Sequence, residues 1–325
     1  MTVSSAFDVI AFVTRGDFPG RRGSIGDYLS LGEFQKAYPD LSICVLEFND
    51  PDTRVQSDGA MFSIAHPRFG TADVGSAKLV LYMPVSFEPE DVALQPGTHR
   101  NVDAVFGHRQ WRVITEFLEV TLSRHPNCIN DPRRARLACN KLAQLRLLKE
   151  ASIPILPIRV ADITPSSMAG PLVRKNLSEG AIRSPGDISN TRLASESNEP
   201  AGYPAIFQPY VMSDHEMRFY VLGTDIIPVR LRRRLEANIV DVREMKMTPD
   251  DVSISAVYER YHPRLLEACR LLGLRYAVID AIPSDDELLI LEVNPSGVWT
   301  NLPAGVGRHI CRKFHEFLYA CLACQ

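Results

Sequence analysis

No apolar run in this chain reaches the ~18 residues that a membrane span needs. The N-terminus, Met1-Thr-Val-Ser-Ser-Ala-Phe-Asp8, lacks the basic start and apolar stretch of a secretory signal. Together these absences lead to the expectation of a cytoplasmic protein with no membrane partner. An excess of charge of one sign is also missing. The net charge is -3, so there is no global attraction to nucleic acid, and none is expected as a partner. The seven cysteines (Cys44, Cys128, Cys139, Cys269, Cys311, Cys321 and Cys324) are odd in number and lie mostly among apolar neighbours. That pattern fits reduced, buried thiols and not a disulfide framework. Cys321-Leu-Ala-Cys324 has redox or zinc spacing, yet no second pair or nearby histidine completes a site. There is no internal repeat, and no Ser/His or Cys/His signature points to a covalent enzyme nucleophile.

What remains is a chain of 325 residues, 45% hydrophobic and 23% charged, the balance of a globular protein with room for two or three domains. Strands and helices alternate at first. Phe7 to Val13, Leu41 to Phe48 and Lys78 to Met83 read as strands, the first a short apolar run of the buried kind. From Gly107 to Leu122, Trp111, Ile114, Phe117, Leu118 and Thr121 share one helical face. This predicts a small α/β domain over 1–130. Asn130-Asp131-Pro132 then offers a helix cap with proline at the first helical position, opening a helix or helix pair that stops before Ile153-Pro154.

Leu172 to Lys175 is a brief strand. The stretch 176–200 is rich in serine, asparagine and glycine. It reads either as a surface insertion or as a mobile lid, with Gly180, Ser184 and Gly186 giving backbone donors to phosphate. Ala205 to Val211 is a strand running into a connector. Glu216 to Leu222 and Ile226 to Arg230 flank Gly223-Thr-Asp225 as a hairpin, and helices follow over Tyr258 to Leu272 and Arg308 to Ala323.

The most telling feature lies near the C-terminus. Tyr276-Ala-Val-Ile-Asp280-Ala-Ile and Leu288-Leu-Ile-Leu-Glu292-Val-Asn294 are separated by turn-forming residues, so they should pair as an antiparallel hairpin. Residues i and i+2 of a strand share a face, which puts Glu292 beside Asn294. If the hairpin folds about Asp286, Asp280 falls opposite Glu292. Two carboxylates and an amide oxygen then converge on a hydrophobic sheet, where they repel one another unless a cation sits between them. All-oxygen ligands suit Mg2+ or Mn2+, and magnesium is usually completed by substrate phosphates.

Five features now stand in order: Lys141 on a helix, Lys175 at a strand end, the connector Gln208-Pro209-Tyr210-Val211, Glu216-Met-Arg218, and the hairpin of Asp280, Glu292 and Asn294. That order resembles the ATP-grasp superfamily, specifically its RimK-like ligases and the graspetide (microviridin-type) peptide macrocyclases. Asn127-Cys-Ile-Asn130-Asp-Pro132, Asn140-Lys141-Leu-Ala-Gln144 and Glu292-Val-Asn294-Pro-Ser-Gly297-Val-Trp299 carry the likeness, which spans about residues 105 to 300. Val298 stands where those macrocyclases usually carry glutamine.

The resemblance implies an α/β (α+β) ATP-grasp fold. A central subdomain would occupy 131–211 and carry the lid over 176–200, and a C-terminal subdomain would occupy 212–325. Lys141 and Lys175 would meet the triphosphate, the 208–211 connector would read adenine, and Glu216 would lie near the nucleotide. Arg218 would face the reacting phosphate, together with Arg230 or Arg232 from the basic run 230–234, which could otherwise be a solvated face. The reaction implied is ATP-dependent ligation of a carboxylate to an amine or hydroxyl through an acyl phosphate. The substrate would be a peptide or amino acid with a reactive carboxylate. A non-catalytic nucleotide- or peptide-binding module and a phosphotransferase are the alternatives, and a homodimer is left open.

Overall fold

The computed structural model describes residues 7–323 except 14, 19–20, 25–29, 48–53, 58–61, 68–69, 84–101, 166, 169, 178–190, 195–203, 234–246, 286 and 300–301. Two compact units emerge, Met1–Arg136 with Phe314–Gln325, and Leu137–Lys313. The first unit therefore extends a little beyond residue 130 and takes back the end of the chain. Among the described residues no helix is long and apolar enough to cross a membrane.

In the first unit a parallel sheet is built from β1 (Val9–Val13), with the hairpin β2 (Arg15–Phe18) and β3 (Arg21–Ser24) following it in sequence. After α1 (Leu31–Ala37) comes β4 (Ile43–Glu47), then the antiparallel set β5 (Arg54–Ser57), β6 (Phe62–His66) and β7 (Gly70–Asp73). The unit continues through β8 (Leu79–Tyr82), α2 (Val102–Leu122) and β9 (Cys128–Ile129). The order β4-β1-β8-β9 puts β1 in the interior, as its unbroken apolar run requires, and Val9, Ile10 and Ala11 are fully buried. Helix α2 starts earlier than expected and buries Leu118 and Leu122; the side chain of Trp111 lies outside the described residues.

The expected helix start is present. Asp131 Oδ1 accepts from Arg133 N at 2.8 Å and opens α3 (Pro132–Cys139). Asn140 interrupts it and caps α4 (Lys141–Glu150) by accepting from Ala143 N at 3.1 Å, so the helix pair is two elements.

The second unit holds two antiparallel sheets. The smaller has the order β10 (Arg159–Ala161), β13 (Ala205–Pro209), β11 (Leu172–Lys175), β12 (Thr191–Leu193). Strand β12 lies inside the stretch expected to be a lid and pairs with β11, so that part is ordinary sheet. Gly180, Ser184 and Gly186 fall outside the described residues.

The larger sheet has the order β16 (Val252–Ile254), β15 (Asp225–Arg232), β14 (His215–Leu222), β17 (Tyr276–Ser284), β18 (Glu287–Asn294). Its β14–β15 turn uses Gly223 at φ 64°, a left-handed conformation that glycine takes without strain. One face of this sheet, through Met217, Phe219, Val221, Ala277, Ile279, Ile290 and Val293, packs on α5 (His262–Leu272) and on Leu148 of α4. Strand alternation leaves Glu216, Arg218 and Tyr220 on the other face. The closing helix α6 runs Ala304–Ala323.

Candidate nucleotide and metal site

Both sheets of the second unit contribute walls to one open cleft. From the small sheet, pairing of Val173 with Gln208 and of Lys175 with Thr191 puts these four residues on the cleft side. Pro209, Tyr210 and Val211 follow from the end of β13, and Tyr210 N donates to Pro171 O at 2.9 Å. The large sheet gives Glu216 and Arg218 from β14 and Asp280 and Glu292 from the hairpin; α4 gives Lys141. The structure thus brings together Lys141, Lys175, Gln208 to Val211, Glu216, Arg218, Asp280 and Glu292 from five separate places in the sequence.

The expected register of Asp280 opposite Glu292 is present, but a plain hairpin would not produce it. Ser284 pairs with Glu287 across a two-residue loop, and continuing that register would put Asp280 opposite Leu291. A bulge intervenes between Asp280/Ala281: Ala281 pairs with Ile290, and Asp280 with Glu292, leaving Leu291 over. The extra residue changes the alternation. Ile290 and Val293 both face the helical core, while Leu291 and Glu292 both line the cleft. Without the bulge, Glu292 would point the same way as Ile290, into the core.

Each of the three carboxylates on the cleft wall sits beside a cation. The Arg218 fork holds Asp280, with Nε to Oδ1 at 2.6 Å and a terminal nitrogen to Oδ2 at 3.1 Å. Burial works against the Arg218 charge, but the Asp280 carboxylate, with Tyr220 and Glu292 nearby, outweighs it and holds the guanidinium above its ordinary range. Lys141 Nζ lies 3.6 Å from Glu292 Oε2, and Arg233 Nε lies 3.5 Å from Glu216. Beneath them Tyr220 donates to Val298 O at 3.3 Å, and burial pushes its phenol up to about 12.

Two expected arginines lie elsewhere. Arg230 pairs across the sheet with Met217, on the helix-packed face, and bonds Asp214 at 3.0 Å. Arg232 pairs with His215 and is exposed, and Arg234 lies outside the described residues. Arg233 lines the cleft instead and is 6% exposed. It donates to Val211 O at 3.0 Å, and its guanidinium stands 5.3 Å over the Tyr210 ring. Simple alternation could have found it: Val229 and Leu231 are buried opposite Arg218 and Glu216, and Arg233 continues their phase.

Asn294 shares a face with Glu292 but does not line the cleft. Its Oδ1 accepts from Ser296 N at 2.9 Å. Among the described residues no group of three or more His, Cys, Asp or Glu could hold a metal by itself. Asp280 and Glu292 nevertheless fit magnesium. A carboxylate has about four lone-pair positions, the arginine fork uses two on Asp280, and hard oxygens plus ligand phosphates are the donor set magnesium takes.

A nucleobase has its own signal. Gln208 is 1% exposed, and both atoms of its amide are buried without a hydrogen-bond partner among the described residues. Such an orphan costs roughly 1–3 kcal/mol until a ligand offering both donor and acceptor satisfies it. None of the described cysteines forms a disulfide, and burial pushes the Cys44 and Cys269 thiols up to about 12, which leaves those two inert.

No protein-family model matches the sequence, and no curated protein matches it. Solved structures do. The macrocyclase MdnC of Microcystis aeruginosa MRC, bound with its precursor peptide MdnA, superposes with a TM-score of 0.71 at 16% identity over 96% of this chain and 99% of that one. A RiPP-associated ATP-grasp ligase of Chryseobacterium gregarium, in complex with ADP and a leader and core peptide, gives 0.71 at 17% identity over 96% and 97%. D-alanine–D-alanine ligase of Bacillus anthracis gives 0.57 at 10% identity over 98% and 96%. The chain has the ATP-grasp fold.

Proposed function

We propose that this protein is an ATP-dependent ligase that joins a carboxylate to an amine or hydroxyl of a peptide substrate, through an acyl phosphate. The observation that carries the reading is the pairing of a hard-oxygen edge, Asp280 and Glu292, with an orphaned buried amide, Gln208, in one cleft. A nucleotide spans those two chemistries, with base at one end and phosphates at the other. The superposed macrocyclase and RiPP-associated ligase are described with precursor, leader or core peptides, which supports a peptide substrate here. ATP-grasp ligase PsnB is described with magnesium and ADP, which supports that metal.

Magnesium held by Asp280 and Glu292, with Asn294 beside them, would offset charge on the phosphate oxygens as the γ-phosphoryl moves to the carboxylate. Lys141 and Lys175 act as point charges toward the triphosphate. Arg218, fixed by Asp280, presents the rest of its guanidinium to the reacting phosphate and to the oxyanion formed when the nucleophile attacks. Attack forms the new amide or ester bond and releases phosphate, while ADP leaves from the cleft. Arg233, and not Arg230 or Arg232, lines the cleft, and it holds the 210–211 connector instead of taking the phosphate-facing role expected for those two.

The test is ADP release with peptides that carry Asp or Glu together with Lys, Ser or Thr. Wild type is expected to release ADP only when peptide is present. Glu292→Gln and Asp280→Asn are expected to lose ADP formation while keeping the wild-type circular dichroism, and Asp280→Asn should also lower the thermal midpoint because it leaves the buried Arg218 without its carboxylate. Wild-type turnover by either variant would sink the metal assignment. A nucleotide-dependent thermal shift with no ADP release from any peptide would favour a binding module.

A further inference from the structure

We propose that Gln144 is a positioning residue for the magnesium edge of the hairpin, acting through the main chain of Val293. The proposal rests on the nucleotide reading above and extends it to a residue that does not line the cleft. Strand β18 is the outer strand of its sheet, so among the described residues the backbone groups on its outer side meet no further strand beyond the single bridge of Ile155 to Ile290. Gln144, 1% exposed on α4, takes that place. Its Oε1 accepts from Val293 N at 2.8 Å, and its Nε2 donates to Val293 O at 2.6 Å. The same Nε2 also donates to Ala138 O at 2.6 Å, in the last turn of α3. Both N–H groups of the amide and its oxygen are engaged, all with backbone.

The location gives these bonds their meaning. Val293 stands between Glu292 and Asn294, two residues beyond the bulged Leu291. On the other side of the bulge, Ile290 N donates to Pro154 O at 3.0 Å, and Ile155 bridges Ile290. The strand is therefore held from outside one residue before and two residues after the extra residue. A bulge is a register choice that costs ladder bonds, and it persists where surrounding contacts determine it. Here the choice decides whether the Glu292 carboxylate faces the cleft or the core. The helix that carries Gln144 also carries Lys141, one turn earlier, 3.6 Å from Glu292. One helix thus fixes the Val293 main chain next to Glu292 and places a cation beside the Glu292 carboxylate. Gln144 acts one residue further out than a group hydrogen-bonded to a metal ligand, and loss of such a group typically weakens metal binding by about 10-fold to 100-fold, so the lower end of that range is the measure here.

The experiment is ADP binding by calorimetry at a series of Mg2+ concentrations, with wild type, Gln144→Leu and Gln144→Met, alongside amide hydrogen exchange at Val293. For either variant the magnesium half-saturation is expected to rise by about 10-fold, with affinity for ADP in EDTA unchanged and Val293 exchange accelerated ahead of the rest of the sheet. Leu118→Val, a core change on α2 in the first unit, is expected to lower thermal stability and leave the magnesium half-saturation alone. A variant of Gln144 that folds and keeps the wild-type magnesium half-saturation would overturn the proposal. So would fast exchange of the Val293 amide in the wild-type protein, which can be measured even if both variants fail to fold. Absence of any ADP binding by wild type, with or without Mg2+, would remove the nucleotide reading itself and this inference with it.

Discussion

Single side chains decide how the cleft is wired, and the basic run 230–234 shows this best. Three arginines of the run differ in fate because a strand alternates: Arg230 meets Asp214 on the helix side, Arg232 is exposed, and Arg233 is buried over Tyr210. A lysine cannot stack on an aromatic ring and bond a carbonyl in the same way as a planar guanidinium. Arg233→Lys is therefore expected to raise the KM for ATP at least about 10-fold, a transition-state cost near 1.4 kcal/mol, with a smaller change in kcat. Arg230→Ala should leave both within about twofold, as suits an exposed pair. Steady-state kinetics on the two variants decides between them, and the reverse ranking would restore the expected assignment.

Gly297 is the other position where one atom matters. A Cβ there would lie 2.6 Å from Val278 Cγ2, and Val278 pairs with Asn294. Gly297→Ala is expected to cost about 1–3 kcal/mol, read as a lowered midpoint in urea. An unchanged midpoint would mean that the segment yields freely.

At the scale of elements, the hairpin joins what could be read in the sequence to what could not. The turn residues, the apolar alternation and the spacing of Asp280, Glu292 and Asn294 were legible, because local chemistry determines them. The bulge at Leu291 was not, since it is held by Gln144 and Pro154 from other elements, and tertiary contacts leave no local trace. The same division explains Asn294, whose face was predictable but whose oxygen is taken by Ser296. It explains β12 too, a short strand in a polar stretch that only pairing with β11 identifies.

In the first unit, β1 and β4 are joined by a charged latch. Asp8 accepts from the backbone and hydroxyl of Ser42, both at 2.8 Å, and Lys78 lies 2.8 Å away. The Lys78 hydrogen bond is foremost in holding the Asp8 carboxyl below its ordinary value of 3.8, with the Ser42 bonds adding to it against burial. A carboxyl lowered in the folded state stabilises above its ordinary value, and that contribution disappears as pH falls through the lowered one. Asp8→Asn should therefore destabilise by about 1 kcal/mol at pH 7, and the gap should shrink steadily below pH 3.8. Denaturation curves at neutral and acid pH measure it, and a gap that widened in acid would contradict the latch.

For the molecule as a whole, the first unit supplies a parallel sheet around β1, and the second carries every residue of the proposed nucleotide cleft. The ATP-grasp fold is shared with peptide macrocyclases and with D-alanine–D-alanine ligase, so fold alone does not select the substrate. Chemistry must select it. Ligation through an acyl phosphate removes one water from the joined pair for each ATP converted to ADP and phosphate. Phosphotransfer instead adds a phosphoryl group to the acceptor, and a binding module changes no mass. The most direct measurement is the mass of a peptide carrying Asp or Glu with Lys, Ser or Thr, incubated with the protein and MgATP while ADP is counted. The account predicts one water lost per ADP formed, in wild type but not in Glu292→Gln. A gain of phosphate, or ADP formed with no change in peptide mass, would contradict it.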